Sequence, residues 1–211
     1  MKTFKNIAFG FLVSFLGSIP LGYLNVIGFE LYRYSGIDSL IPFLFGVITI
    51  EGLVIYGTLV FADRLMRKKM LLKYIEAFSV LFMFVLAFTF YSSAQHPQAQ
   101  QKILEKYLKY SPYVMGVLLS AFNFIQLPFW IGWNLYMLNG RYIDIKNGQQ
   151  FTYLAGTLLG TFAGMMALIL LLAQLTAQTE FLTKYVMLYV IPAVFVALGI
   201  FQGIKFWRKY I

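Results

Sequence analysis

Six long apolar segments dominate the chain and set what it can fold into. A helix that crosses the hydrocarbon core of a bilayer needs about 20 mostly apolar residues. The segments that meet this requirement cover 6–29, 39–62, 77–94, 111–140, 151–175 and 185–204. Because they are continuous apolar runs rather than short alternating segments, they indicate helices and not barrel strands. We therefore expect an all-α polytopic membrane protein with six transmembrane helices.

The composition excludes several classes of protein and of site. Apolar residues make up 60% of the chain and charged residues only 12%, whereas a soluble domain carries roughly 25% charged residues. A soluble enzyme, a nucleic-acid binder and a disordered regulator are therefore excluded. The chain has no cysteine, and His96 is its one histidine. We expect no disulfide, no cysteine or multi-histidine metal centre, no cofactor and no nucleic-acid partner.

The distribution of basic residues predicts the orientation of the chain. If there are six spans, one side carries twelve basic residues: Lys2, Lys5, Arg64, Arg67, Lys68, Lys69, Lys73, Arg141, Lys146, Lys205, Arg208 and Lys209. The other side carries five: Arg33, Lys102, Lys106, Lys109 and Lys184. Basic residues favour the cytoplasmic side. We expect a multi-pass membrane protein with both termini cytoplasmic.

An internal repeat divides the single transmembrane domain that we expect over 1–211. A shift of 106 residues aligns Gly10 with Gly116, and a shift of 110 aligns Gly46 with Gly156. Repeat one covers about 1–94, an interfacial loop about 95–110 and repeat two about 111–211. A three-span unit reverses its direction in the membrane when it is repeated, so the two repeats are predicted to be inverted.

Residues that interrupt helices fall at corresponding places in the two repeats. Span one contains Gly17, Ser18, Pro20 and Gly22; span four contains Asn123, Gln126 and Pro128. Proline removes a backbone donor and clashes with the preceding turn. We expect spans one and four to be broken at Pro20 and Pro128. Breaks of this kind expose backbone groups that bind polar solutes at the centre of secondary transporters.

One carboxyl is predicted to lie near the middle of the bilayer. Glu51 lies halfway along span two, where a charge costs roughly 2.5 to 3.5 kcal/mol on insertion scales. Such a residue faces the protein interior and binds a proton, an ammonium group or a cation, or else it hydrogen-bonds between helices for packing alone. Tyr56 and Thr161 are candidate supporting partners for it.

The amide side chains at depth are the candidate solute ligands. Asn25 in span one and Asn123 in span four either bind a solute or link helices to one another. Ser18 and Gln126 complete the predicted substrate-binding set. No metal ligands and no catalytic residues are predicted.

A stripe of small residues in span five predicts a close helix contact. Gly156, Gly160 and Gly164 are four residues apart, which lets another helix approach closely. The stripe packs either within the monomer or against a second copy in a homodimer.

Two segments of the sequence resemble the signature of a known family. The chain reads SIPLGYLNV at 18–26 and NFIQLPFWIG at 123–132. Together these are similar to the two signature segments of the lysine exporter (LysE/RhtB-type) superfamily of bacterial inner-membrane transporters. Members have six spans in two repeats, with a Pro-Gly-Pro break in the first span and an Asn-Pro break in the fourth. Here Leu21 and Phe124 depart from those two motifs.

The resemblance implies export of amino acids or their derivatives by proton antiport. Taken with the residues above, it predicts a secondary transporter, not an enzyme, whose partners are a small amino-acid-like solute, protons and the lipid bilayer. Two alternatives stay open at this point. One is an inorganic cation exporter of the same superfamily; the other is a non-transport protein, either an intramembrane enzyme or a scaffold.

Overall fold

The computed structural model describes residues 2–19, 22–67, 69–95, 111–124, 126–177 and 185–210. Its helices are α1 Lys2–Ser18, α2 Tyr23–Ser35, α3 Ile37–Arg67, α4 Lys69–Gln95, α5 Pro112–Ala121, α6 Gln126–Asn139, α7 Gln149–Ala177 and α8 Ile191–Tyr210. A π-helical turn, Val186–Val190, leads into α8. No strand occurs within those ranges, so the prediction of an all-α protein is confirmed.

Several helices have the length and composition to cross a bilayer. In the described part of the chain, three qualify alone, over Ile37–Phe61, Gln149–Leu175 and Leu188–Tyr210, and the bent pair α1–α2 adds a fourth if it forms one span. Shorter apolar helical segments lie at Glu76–Val85 and Pro112–Ala121, and they overlap the third and fourth of the six predicted spans. These helices hydrogen-bond their own backbone, as the bilayer interior requires.

The first predicted break is present as a sharp bend. Helix α1 ends at Ser18, α2 begins at Tyr23, and the two axes meet at 77°. Gly22 precedes α2 in an extended conformation, with φ −88° and ψ 161°. Pro20 itself, to which the break was assigned from the sequence, lies outside the described residues.

The second break comes before the proline to which the sequence analysis assigned it. Helix α5 ends at Ala121, and α6 begins at Gln126. Pro128 is therefore the third residue of α6, in the first turn, where a backbone N–H has no partner inside the helix. A proline fits there without disturbing the helix. The interruption thus lies in the segment that contains Asn123.

Glycines bring α1 and α7 into backbone contact. A β-carbon at Gly10 would lie 2.6 Å from the carbonyl oxygen of Tyr153 and 3.0 Å from the nitrogen of Thr157. In return, a β-carbon at Gly156 would overlap the carbonyl oxygen of Ile7. Gly160 and Gly164 continue the contact along the same face of α7. The predicted glycine stripe is therefore covered within the chain by α1.

A second glycine crossing joins α3 to α5. A β-carbon at Gly46 would overlap the carbonyl oxygen of Tyr113. One at Gly116 would overlap the carbonyl oxygen of Phe43 and lie 3.0 Å from the nitrogen of Val47. Only residues without a side chain allow two helices to approach this closely.

The remaining helices pack around these two crossings. Helix α4 packs on α8, where Phe84 lies against Gly199, and Lys209 forms an ion pair of 2.6 Å with Glu76. Large apolar side chains remain exposed on the outer faces of the helices, including Leu53 at 67% and Phe88 at 72%. Such an apolar exterior suits a lipid environment better than water.

Candidate functional site

A cavity of about 150 Å³, lined by both polar and apolar side chains, lies where the two helix breaks meet α3 and α7. It contains most of the side chains that the sequence analysis singled out. The predicted residues that line it are Gly17, Ser18, Gly22, Asn25, Glu51, Asn123, Gln126 and Thr161. Met83, Met165, Phe195 and Leu198 supply an apolar wall from α4, α7 and α8. The structure thus brings together residues from both halves of the chain.

Glu51 contributes a carboxyl group to this cavity from the middle of α3. The indole Nε1 of Trp130, on α6, donates a hydrogen bond of 3.2 Å to its Oε1. The Thr161 side chain, on α7, also hydrogen-bonds the carboxyl group. Trp130 is 1% exposed, so the indole is a fixed donor. Glu51 is thus held by two helices other than its own.

A hydroxyl chain continues from Glu51 toward α1. The side-chain oxygens of Thr161 and Ser14 share a short hydrogen bond, and both residues are buried. The Ser18 hydroxyl, one turn later, donates to the carbonyl oxygen of Ser14 at 2.7 Å. Hydroxyls both donate and accept, so this chain can reorient when the charge on the carboxyl changes.

The amide side chains at the two breaks satisfy the ends of the interrupted helices. Asn25 Nδ2 donates to the carbonyl oxygen of Ser18 at 2.9 Å. Gln126 Nε2 donates to the carbonyl oxygen of Ser120 at 3.0 Å. The last carbonyls of a helix lack intrahelical partners, and these amides supply them. Asn25 and Gln126 were predicted as solute ligands; the geometry gives them a structural bond as well.

The remaining residues at the breaks shape the cavity wall. Asn123 lies in the interruption between α5 and α6 and is partly buried. A β-carbon at Gly17 would lie 2.9 Å from Cζ of Phe129. Glycine at position 17 therefore lets the aromatic ring lie against α1.

One predicted supporting residue lies away from the cavity. The Tyr56 side chain is 37% exposed, and its ring stacks on Phe151 with a centroid separation of 5.9 Å. Tyr56 does not line the cavity. Tyr56 follows Glu51 by five positions, which corresponds to a rotation of about 140° around a helix. The two side chains therefore leave α3 on different faces.

Two residues of the network were not among the predicted site residues. Trp130 belongs to the aromatic pair that follows Pro128, and Ser14 lies one turn before Ser18. The sequence did hold a signal for Ser14: it lies four residues before Ser18 at the first break, and residues at this spacing share one face of a helix. No pattern in the sequence indicates that an indole from α6 would reach a carboxyl on α3.

A second polar network, also not predicted, lies between α3, α6 and α7. Asn134 Nδ2 donates to the carbonyl oxygen of Ile55 at 3.3 Å and to Thr58 Oγ1 at 3.0 Å. The Tyr153 hydroxyl donates to Asn134 Oδ1 at 3.1 Å. All three side chains are buried. Because each bonds another, this network joins helices without leaving a group open to a ligand.

Comparisons with known proteins add no assignment to this geometry. A scan against protein-family models and searches of curated proteins and of solved structures found no match to the chain. Among the residues that the structure describes, no three His, Asp or Glu side chains lie together as metal ligands would. The arrangement around Glu51 therefore carries the functional argument.

Proposed function

We propose that this chain is a secondary transporter that exports a small amino-acid-like solute by proton antiport. The observation that carries the proposal is the cavity itself, where two interrupted helices meet the partly buried carboxyl of Glu51. Interrupted helices free backbone groups for a polar solute, and transporters use them at the midpoint of the membrane. The proposal includes six spans, a bacterial inner-membrane location with both termini cytoplasmic, and membership of the lysine exporter superfamily.

The glycine crossings support the inverted repeat. Gly10 lies against the carbonyl of Tyr153, and Gly116 lies against the carbonyl of Phe43. The shift of 106 residues converts Gly10 into Gly116, and the shift of 110 converts Phe43 into Tyr153. The contact of α5 on α3 therefore repeats that of α1 on α7 with the halves exchanged. A two-fold axis between the halves has this effect.

The reciprocal contacts follow the same rule. Gly156 lies against the carbonyl of Ile7, and Gly46 lies against the carbonyl of Tyr113. The same two shifts relate Ile7 to Tyr113 and Gly46 to Gly156. Four backbone contacts thus fit one pair of sequence offsets, which chance similarity between apolar helices does not explain.

Glu51 and Thr161 also occupy equivalent positions. They differ by 110 residues, the offset that relates α3 to α7, and their side chains hydrogen-bond one another. Two equivalent residues touch only where they lie beside the two-fold axis. The cavity around Glu51 is therefore at the junction of the proposed repeats, where an alternating-access mechanism requires its substrate site.

Counterflow in proteoliposomes tests the proposal. Vesicles that contain the purified chain would be loaded with a mixture of amino acids and of the corresponding amines that lack the carboxylate, and assayed for exchange with and without an imposed pH gradient. We expect exchange of one class of solute that responds to the gradient. The Glu51→Gln variant should lose the response, and Asp38→Asn, which removes an exposed carboxyl at the start of α3, should keep it. Normal folding of Glu51→Gln with unchanged exchange would contradict the proposal.

A further inference from the structure

The charges around the cavity restrict the solute that it can hold. Among the lining residues that the structure describes, Glu51 is the one with a charged side chain. An amino acid carries an ammonium and a carboxylate, and each ion needs a partner of opposite charge when water is removed. The described lining offers a partner for the ammonium but no lysine or arginine for the carboxylate.

Several hydrogen-bond donors in the lining already bond the main chain. Five side chains there donate to main-chain carbonyl oxygens: Ser18, Tyr23, Asn25, Ser120 and Gln126. A hydroxyl has one donor hydrogen and two acceptor lone pairs. The three hydroxyls can therefore offer only acceptors to a solute. Asn123, which also lines the cavity, has an amide N–H₂ group, a neutral donor that balances no charge. Acceptors suit an ammonium group and not a carboxylate.

The helix ends do not reverse this preference. At the first break α1 presents its C-terminus and α2 its N-terminus, and at the second α5 and α6 do the same. A helix end carries roughly half an elementary charge, negative at the C-terminus and positive at the N-terminus. Paired ends of opposite sign largely offset one another, so the full charge of Glu51 determines the sign of the cavity.

The size of the cavity and its apolar wall determine what uncharged body the solute can have. Its volume is about 150 Å³, and a cavity of about this volume in another protein binds benzene. Met83, Met165 and Phe195 contribute apolar surface to the lining. The fitting molecule has a short apolar body.

We propose that the substrate is a small organic monocation, with one ammonium group, a short apolar body and no carboxylate, bound at Glu51. This inference rests on the proposed transport function and narrows its substrate. The ammonium and the coupling proton compete for the same carboxyl: the protonated acid releases its proton and binds the cation, and the reverse step restores it. Each cycle exchanges one proton for one monocation, and the exchange moves no net charge.

In the part of the chain that the structure describes, the side chains beside Glu51 carry no charge, so the carboxyl is the group for which the proton and the ammonium compete. Trp130 and Thr161, from α6 and α7, contact the carboxyl, and Ser14, from α1, bonds Thr161 behind it; none of the three carries a charge. Of the described lining residues, Tyr23 is the one other titratable group, and its hydroxyl donates to the carbonyl oxygen of Leu119. A lower pH should therefore weaken binding of the cation through protonation of Glu51.

Trp130 provides a direct reporter of binding because its indole donates to Glu51. The chain has three tryptophans, and Trp130 is the one that remains in the double variant Trp133→Phe, Trp207→Phe. The full chain in detergent would be titrated with isobutylamine and, separately, with valine, which is the same molecule with a carboxylate added. We expect isobutylamine to change the fluorescence saturably, more weakly as the pH falls, and valine to bind about tenfold or more weaker.

Matched variants show whether the carboxyl is responsible. Glu51→Gln should weaken isobutylamine binding about tenfold or more, and Asp38→Asn should leave it unchanged. If the tryptophan background does not fold, the ligand-induced rise in the unfolding temperature of the otherwise unaltered chain replaces fluorescence. Valine binding as tightly as isobutylamine, or isobutylamine binding unchanged by Glu51→Gln, would overturn the inference.

Transport separates this inference from the proposed function. In proteoliposomes, pH-driven exchange of valine without exchange of isobutylamine would support the proposed transport function and overturn the inference that the substrate is a monocation. Saturable binding of isobutylamine without any flux would support the monocation site and contradict the proposed transport function. Exchange of isobutylamine for protons at a rate independent of an imposed membrane potential supports both, and a rate that follows the potential would overturn the one-for-one exchange.

Discussion

Trp130 donates its indole N–H to Oε1 of Glu51 across 3.2 Å, which joins the second interrupted helix pair to the middle of α3. The bond fixes one oxygen of the carboxyl and leaves the other for Thr161 or a ligand. Because the indole donor favours the ionised carboxyl, Trp130 helps to hold a charge where the bilayer would otherwise disfavour one.

Trp130→Phe should weaken the binding of a cationic solute without unfolding the chain. The phenyl ring keeps most of the packing but removes the donor, and a hydrogen bond to a charged group is worth roughly 1.5 to 3 kcal/mol. We expect about a tenfold rise in the concentration that half-saturates exchange. Trp133→Phe, on the same helix but 37% exposed, is the control and should change nothing. Equal effects of the two variants would argue against the role given to Trp130.

Thr161→Val tests the hydroxyl chain between Glu51 and Ser14. Valine has nearly the same shape but no hydroxyl, so Glu51 loses one hydrogen-bond partner and Ser14 loses another. We expect exchange to slow about tenfold, since each lost bond to a charged group costs about 1.5 kcal/mol or more. The measurement is initial counterflow rate. Thr157→Val is the matched control, because that buried hydroxyl bonds only the carbonyl of Leu154 in the same helix.

Gly46→Ala should destabilise the chain, whereas Gly57→Ala should not. Both glycines lie in α3, but a β-carbon at Gly46 would overlap the backbone of α5 and one at Gly57 has nothing within 4 Å. Overpacking costs typically 1 to 3 kcal/mol, while alanine gains about 0.8 to 1 kcal/mol over glycine inside a helix. Thermal unfolding in detergent should show opposite shifts. A rise for Gly46→Ala would contradict the crossing.

Asn134→Leu should destabilise the chain through the partners that it leaves behind. The Tyr153 hydroxyl and the carbonyl of Ile55 would both lose a buried bond, at about 1 to 3 kcal/mol for each unsatisfied group. Adding Tyr153→Phe removes one stranded hydroxyl, so the double variant should recover part of the loss in unfolding temperature. Strictly additive losses would show that the two side chains do not form one network.

The sequence predicts the helices and the composition of the site for a simple physical reason. Long apolar runs have few folding options, since a helix satisfies its own backbone in lipid. Polar residues in such runs are costly in contact with lipid, so Ser18, Asn25, Glu51 and Thr161 turn toward one another. Their common cavity follows from that exclusion together with the two breaks.

Other parts of the site depend on positions that no local pattern encodes. Pro128 suggested a break at its own position, but a proline in a first turn is as compatible with a helix start as with an interruption. Asn25 and Gln126 use an amide hydrogen on nearby carbonyls, a choice that depends on side-chain rotation. Tyr56 was predicted to support Glu51 because the two are close in sequence, but helix geometry places their side chains on different faces.

The two glycine crossings also identify which helices can move as units. Helix α1 is locked to α7 and α3 to α5 at backbone distance, so each tight pair combines one helix from the first half of the chain with one from the second. A motion that preserves these contacts cannot separate the halves from one another. It must instead turn one composite pair against the other, and the non-helical residues Gly22 and Asn123 are among the positions where the backbone can bend for that turn. Cross-linking within a pair should then leave the proposed exchange intact, and cross-linking between pairs should stop it.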